Sequence, residues 1–91
     1  MITFETACKE MYESYKRLGF PGIDAVGDVG EEWVFLQATD GEADAINFKP
    51  IFYNKRNGKR RHMNFWDKND QKLLNKAIKL NLPPKYCGYD D

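Results

Sequence analysis

The side chains with most capacity for chemistry in this 91-residue chain are its charges, and they are sorted by sign. Residues 24–44 hold seven acids (Asp24, Asp28, Glu31, Glu32, Asp40, Glu42, Asp44) and no Lys or Arg. Residues 49–62 hold six bases (Lys49, Lys55, Arg56, Lys59, Arg60, Arg61) and no acid. A net charge of +0 hides this division. Catalysis asks for a nucleophile beside a base, paired carboxylates or a metal cluster. His62, the one histidine, stands beside Arg60 and Arg61, with no Ser, Thr or Asp in an elbow next to it. Glu31 and Glu32 are neighbours in sequence, so on a strand they point to opposite faces and do not flank one substrate. One His and two Cys are too few soft ligands for zinc. The acids lack the Asp-x-Asp-x-Asp-Gly spacing of a calcium loop. The pattern therefore points to a non-enzymatic binding protein with no cofactor and no metal.

Two surfaces could do the binding. Glu31, Glu32, Asp40, Glu42 and Asp44 form a phosphate-like set of carboxylates suited to a basic protein such as a nuclease, steering its approach and meeting its Arg and Lys. The plainer alternative is a solvated loop region whose charges keep an edge strand from aggregating. Lys55, Arg56, Lys59, Arg60 and Arg61, with Phe52, Tyr53, Phe65 and Trp66 close by in sequence, suit nucleic acid: cations for phosphates and rings for stacking. Lys68, Lys72, Lys76 and Lys79 extend that basic set. The balanced total charge argues against a dedicated nucleic-acid module. The acids are expected on one side of the domain and the bases on the other, with the acidic side as the contact.

The elements that position these charges follow from periodicity and turn chemistry. Phe4, Ala7, Met11, Tyr15 and Leu18 recur at three- and four-residue steps, which predicts an amphipathic helix over 4–18 with Thr3 as N-cap and Gly19 beyond its end. Residues 22–31 carry three glycines and read as a loop with a short irregular strand around 23–26. Residues 32–38 predict a central strand, Trp33, Phe35 and Gln37 on one face and Val34 and Leu36 on the other. Asp40-Gly41 is a turn signal. Residues 45–53 predict a third strand in which Pro50 marks an edge or bulge. Asn57-Gly58 supplies positive φ for a tight turn into a fourth strand over 59–65. Asp67 caps a second helix over 68–80, with Leu73, Leu74, Ala77, Ile78 and Leu80 as its buried face. The expected fold is α+β and one domain over 1–91: an N-terminal helix, an antiparallel meander of three or four strands and a C-terminal helix, with the helices packed on one sheet face.

The segment Glu32-Trp33-Val34-Phe35, followed by 46–59 with its Pro50 and the hairpin Lys55-Arg56-Asn57-Gly58-Lys59, resembles a pattern in small bacterial immunity proteins. There a helix precedes a strand with a Trp-x-Phe core, and a Pro-bearing strand runs into a Lys-x-x-Gly-Lys hairpin. The resemblance covers the first two-thirds of the chain. It implies a protein that binds and neutralises a cognate toxin domain of a polymorphic or contact-dependent inhibition system. It transfers no site residue, because such families share no catalytic residues and their toxin-facing positions vary. No apolar run approaches the ~18–20 residues a membrane helix needs. The start Met-Ile-Thr-Phe-Glu has no signal-peptide character, so the cytosol is the expected compartment. Cys8 and Cys87 are expected as reduced thiols there. Pro50 and the charges predict a monomer or at most a weak homodimer.

Overall fold

Thr3 opens the first helix. Its side-chain oxygen accepts from the Thr6 N–H at 3.2 Å, satisfying a donor that a helix start leaves open, and α1 runs Phe4–Arg17. Gly19 closes it at φ +93°, and the Phe20 N–H reaches back to the Tyr15 carbonyl at 2.9 Å. In this computed structural model, residues 1–38 and 50–87 are described. The Asp40-Gly41 turn, the 45–49 part of the expected third strand and the tail 88–91 lie outside the described residues.

Five strands form one antiparallel sheet: β1 (Ile23–Asp28), β2 (Glu32–Gln37), β3 (Ile51–Asn54), β4 (Arg60–His62) and β5 (Ile78–Lys79), in the order β4-β3-β2-β1-β5. The first four make the expected meander. Between β4 and β5 lies the second helix, α2 (Lys68–Lys76). The α+β class of the sequence reading is the observed one. The short irregular strand expected around 23–26 is present and runs two residues further, to Asp28, with its irregularity between Ile23 and Ala25.

Because β2 has neighbours on both sides, its alternation sorts two cores. Trp33 and Phe35 face α1 and pack with Ala7, Cys8, Met11, Tyr15, Ile23, Val26, Ile51 and Tyr53. The Tyr15 hydroxyl donates to the Phe35 carbonyl at 3.2 Å and ties α1 to β2. On the other face Val34, Phe52 and Met63 form a smaller cluster, with Leu73, Leu74 and Ala77 packed against it. The two helices thus use opposite faces of the sheet, contrary to the expectation of one shared face. A strand such as β3, with Ile51, Phe52 and Tyr53 all buried, needs cover on both sides.

Two strand ends differ from the expectation for a physical reason. Pro50 has no N–H to continue the ladder, and its carbonyl accepts the Met63 N–H at 3.0 Å. β4 therefore stops at His62, and Phe65 and Trp66 leave the sheet on a turn. The expected helix over 68–80 ends at Lys76 because Ala77 turns extended, at φ −60° and ψ 130°, and Ile78 and Lys79 pair with Asp28 and Gly27. The Leu80 N–H then donates to the Val26 carbonyl at 2.9 Å, and Leu80 joins the α1-side cluster. Ile78, expected on the buried helix face, is 69% exposed.

Gly27 makes this β5 docking feasible. A Cβ there would lie 2.9 Å from the Ala77 Cβ and 3.3 Å from Val34 Cγ1. Glycine-to-alanine changes in a strand ordinarily stabilise by reducing the freedom of the unfolded chain. Here we expect Gly27→Ala to destabilise by about 1–3 kcal/mol through overpacking. Urea unfolding checks the sign, and a gain in stability would show that the close approach of Ala77 is not holding the edge.

Candidate partner-binding surface

The strands bring the two sign-sorted blocks together rather than to opposite sides. The β1–β2 turn and the β3–β4 turn lie at the same end of the meander, because Glu32 is opposite Asn54 and Tyr53 is opposite Arg60. Acids from the first block therefore meet bases from the second.

Arg61 carries the largest of these contacts. Its Nε and Nη2 donate to the two carboxylate oxygens of Glu32 at 3.1 and 3.0 Å, and its Nη1 donates to Asp70 Oδ1 at 2.8 Å. The guanidinium lies over the Phe52 ring at 4.3 Å, capping the second core. The other Asp70 oxygen accepts the Asn64 N–H at 2.9 Å. Burial pushes the Asp70 carboxyl up, but the Asn64 N–H and the Arg61 guanidinium outweigh it and hold the group below its usual 3.8. This triad pins β2, β4 and the first turn of α2 to one another.

Lys55 donates from Nζ to Asp28 Oδ1 at 2.9 Å and stands over the Trp33 ring at 5.4 Å. That hydrogen bond, with a second from the Gly30 N–H, holds the Asp28 carboxyl below its ordinary value. Arg60 lies 3.7 Å from Glu10 Oε2 and 5.4 Å from the centre of the Tyr53 ring, and the Tyr53 hydroxyl donates to the same Glu10 oxygen. Burial first, then Glu10, raises the Tyr53 phenol to about 12.

Of the five bases expected to meet nucleic acid, Lys55, Arg60 and Arg61 are thus engaged with the chain's own carboxylates. Arg56 and Lys59 have no ion-pair partner among the described residues. They sit on a turn built by asparagines. Asn54 Oδ1 accepts the Arg56 and Asn57 N–H groups, and Asn57 Oδ1 accepts that of Lys59. Only Gly58 in this turn takes positive φ, at +74°; Asn57 does not, contrary to the expectation.

Of the five acids expected to meet a partner, Glu32 is half-buried in the triad and Glu31 is exposed with no ion-pair partner among the described residues. Glu31 lines an open groove of about 340 Å³ with Met1, Gly30, Asn54, Lys55, Arg56 and Asn57. Asp40, Glu42 and Asp44 follow the far end of β2 and lie outside the described residues. The expected acidic side and basic side are therefore replaced, where the structure describes them, by interleaved pairs with Asp24, Glu31, Arg56 and Lys59 left over.

His62 ends β4 exposed. Cys8 is buried and Cys87 half-buried, and both are free thiols. Burial, aided by Glu5, pushes the Cys8 thiol up to about 12, which leaves it unreactive in the folded chain. Among the described residues no three His, Cys, Asp or Glu side chains gather as a metal site, and no helix is long and apolar enough to cross a membrane. Comparison with protein-family models, curated proteins and solved structures gives no match.

Proposed function

We propose that this chain is a non-enzymatic immunity-type protein that acts in the cytosol, binding and neutralising a cognate bacterial toxin domain, most simply a nuclease. The observation that carries the reading is the state of the acids. Internal pairing consumes Asp28 and Glu32, while Asp24 on β1 and Glu31 at the β1–β2 turn, beside the groove, stay exposed with no ion-pair partner among the described residues. In sequence the base-free stretch continues through Asp40, Glu42 and Asp44. An exposed carboxylate such as Glu31 steers a basic partner and discriminates against acidic ones. The likeness of the Trp33 and Phe35 strand and the Lys55-to-Lys59 hairpin to immunity proteins supports the same class. Both segments serve the fold, the first in the core and the second as its turn, so the specificity falls to the charges around them.

The test is capture of the protein encoded by the gene immediately upstream, together with protection of cells expressing it. We expect a stable complex and protection. Reversing Glu31, Asp40, Glu42 and Asp44 to Lys should slow association about tenfold or more at low salt and leave the urea midpoint in place. Neither complex nor protection with the unmodified chain would remove the proposal.

A further inference from the structure

Phe65 and Trp66 occupy the turn between β4 and α2, and the fold makes no use of the Trp66 ring. Trp66 is 92% exposed and Phe65 48%. A large ring left in water forgoes the burial that aromatic residues ordinarily supply. The turn that presents it is well fastened. The Trp66 N–H donates to Asn64 Oδ1 at 3.0 Å, and the Asp67 N–H donates to the Asn64 carbonyl at 3.0 Å. Asn64 is itself held by Asp70 of the ion triad.

From this turn α2 sets out with Lys68, Lys72 and Lys76 at four-residue steps. Such steps place side chains in a row on one helix face, about 6 Å apart. All three lysines are exposed, and none has an ion-pair partner among the described residues. The carboxylates of the same stretch are occupied: Asp67 accepts the Asn69 N–H at 2.7 Å as the helix cap, and Asp70 is buried on Arg61. The row is therefore cationic, with the exposed cap carboxylate of Asp67 at its N-terminal end, and the ring stands at its start.

We infer that the Phe65 and Trp66 turn and the lysine row of α2 form a binding surface for single-stranded nucleic acid. The indole stacks on a base, and Lys68, Lys72 and Lys76 meet successive phosphates. Base faces are open only in an unpaired strand, so the surface selects single strands over duplex. An acidic protein would answer the lysines equally well; the open ring beside them is what favours bases. This surface is separate from the carboxylates of the proposed toxin contact and from the Lys55-to-Arg61 hairpin, whose cations are largely paired within the chain.

Fluorescence anisotropy with a labelled oligothymidylate of about twenty nucleotides tests the assignment on the full chain. We expect binding at low salt that weakens steeply as salt rises. Trp66→Ala should weaken it roughly tenfold and Trp66→Phe should restore most of the loss. Lys68→Glu with Lys72→Glu should weaken it and reduce the salt slope by about 0.7 for each phosphate contact removed. All of these positions are exposed, and an unchanged urea midpoint verifies the fold of each variant. A flat titration with the unmodified chain, equal affinity for a duplex of the same length, or full affinity in Trp66→Ala would overturn the inference. Tighter binding of polyglutamate than of the oligonucleotide would also overturn it and assign the surface to an acidic protein.

Discussion

Truncating Phe52 to alanine is expected to lower the unfolding free energy by about 3–5 kcal/mol. The residue is fully buried at the centre of the smaller core, between Val34 and Met63, with the Arg61 guanidinium on its ring. That core has few other large side chains, so the cavity has little with which to collapse. Leu73 and Leu74 are its cover from α2 and are only half-buried themselves. The loss should therefore appear first in α2. Hydrogen exchange should show the amides of α2 losing protection before those of α1, because local opening draws on the elements with fewest buried contacts. Equal loss in both helices would mean that the two cores are not separable. Urea denaturation gives the magnitude.

The second large effect belongs to Arg61. Arg61→Met keeps the aliphatic contact over Phe52 and removes the charge, leaving the Asp70 carboxylate, whose side chain is 6% exposed, with the Asn64 N–H as its remaining partner. Breaking a fully buried pair costs more, but the Arg61 side chain is 43% exposed, so water replaces part of what is lost. We expect a destabilisation of about 2 kcal/mol at neutral pH. The pH dependence carries the sign. The Asp70 carboxyl is held below its ordinary value in the folded chain. Its contribution is therefore present above the unfolded value and is lost as pH falls through the folded one. In Arg61→Met burial is no longer outweighed by the guanidinium, and protonation of Asp70 becomes easier in the folded state. The gap in urea midpoint between the two proteins should be widest near pH 7 and narrow toward pH 3. A constant gap across that range would show that Asp70 does not answer to Arg61. Arg61→Lys should fall between the two, since an ammonium keeps the charge but not the three-way fork.

Much of this architecture is written locally. The helical spacing of Phe4, Ala7, Met11 and Tyr15, the Thr3 cap and the Gly19 stop describe α1 to within a residue. The alternation of Trp33, Val34, Phe35 and Leu36 describes β2 and its two covered faces. What escapes is decided at a distance. Ala77 and Ile78 continue the helical periodicity of Leu73 and Leu74, yet Ala77 turns extended beside the bare backbone at Gly27 and Ile78 joins the open edge of β1. The surface is less legible still. Arg61 and Glu32 are 29 residues apart in sequence, and only the register of β2, β3 and β4 brings them together. Charge blocks that look segregated along the chain are cross-strand neighbours in space. Of the acids the sequence pattern offered for a contact, Glu31 is exposed and Glu32 is half-buried in the triad, and Asp40, Glu42 and Asp44 lie outside the described residues. Trp66 reads in sequence as one ring among several beside the basic hairpin, and only the fold shows it almost wholly exposed on the turn after β4.

The short α2 joins the two outermost strands of the sheet, β4 on one flank and β5 on the other. Both flanks therefore share one latch. If α2 lifts, β5 loses its anchor on β1 and β4 loses the Asp70 hold on Arg61 in the same event. The opened species would offer hydrogen-bonding backbone at the Gly27 flank, while on the other flank Arg61 keeps only Glu32 as its carboxylate partner. Solubility under mild denaturant is then governed by the nine residues of that helix rather than by the larger core beneath α1.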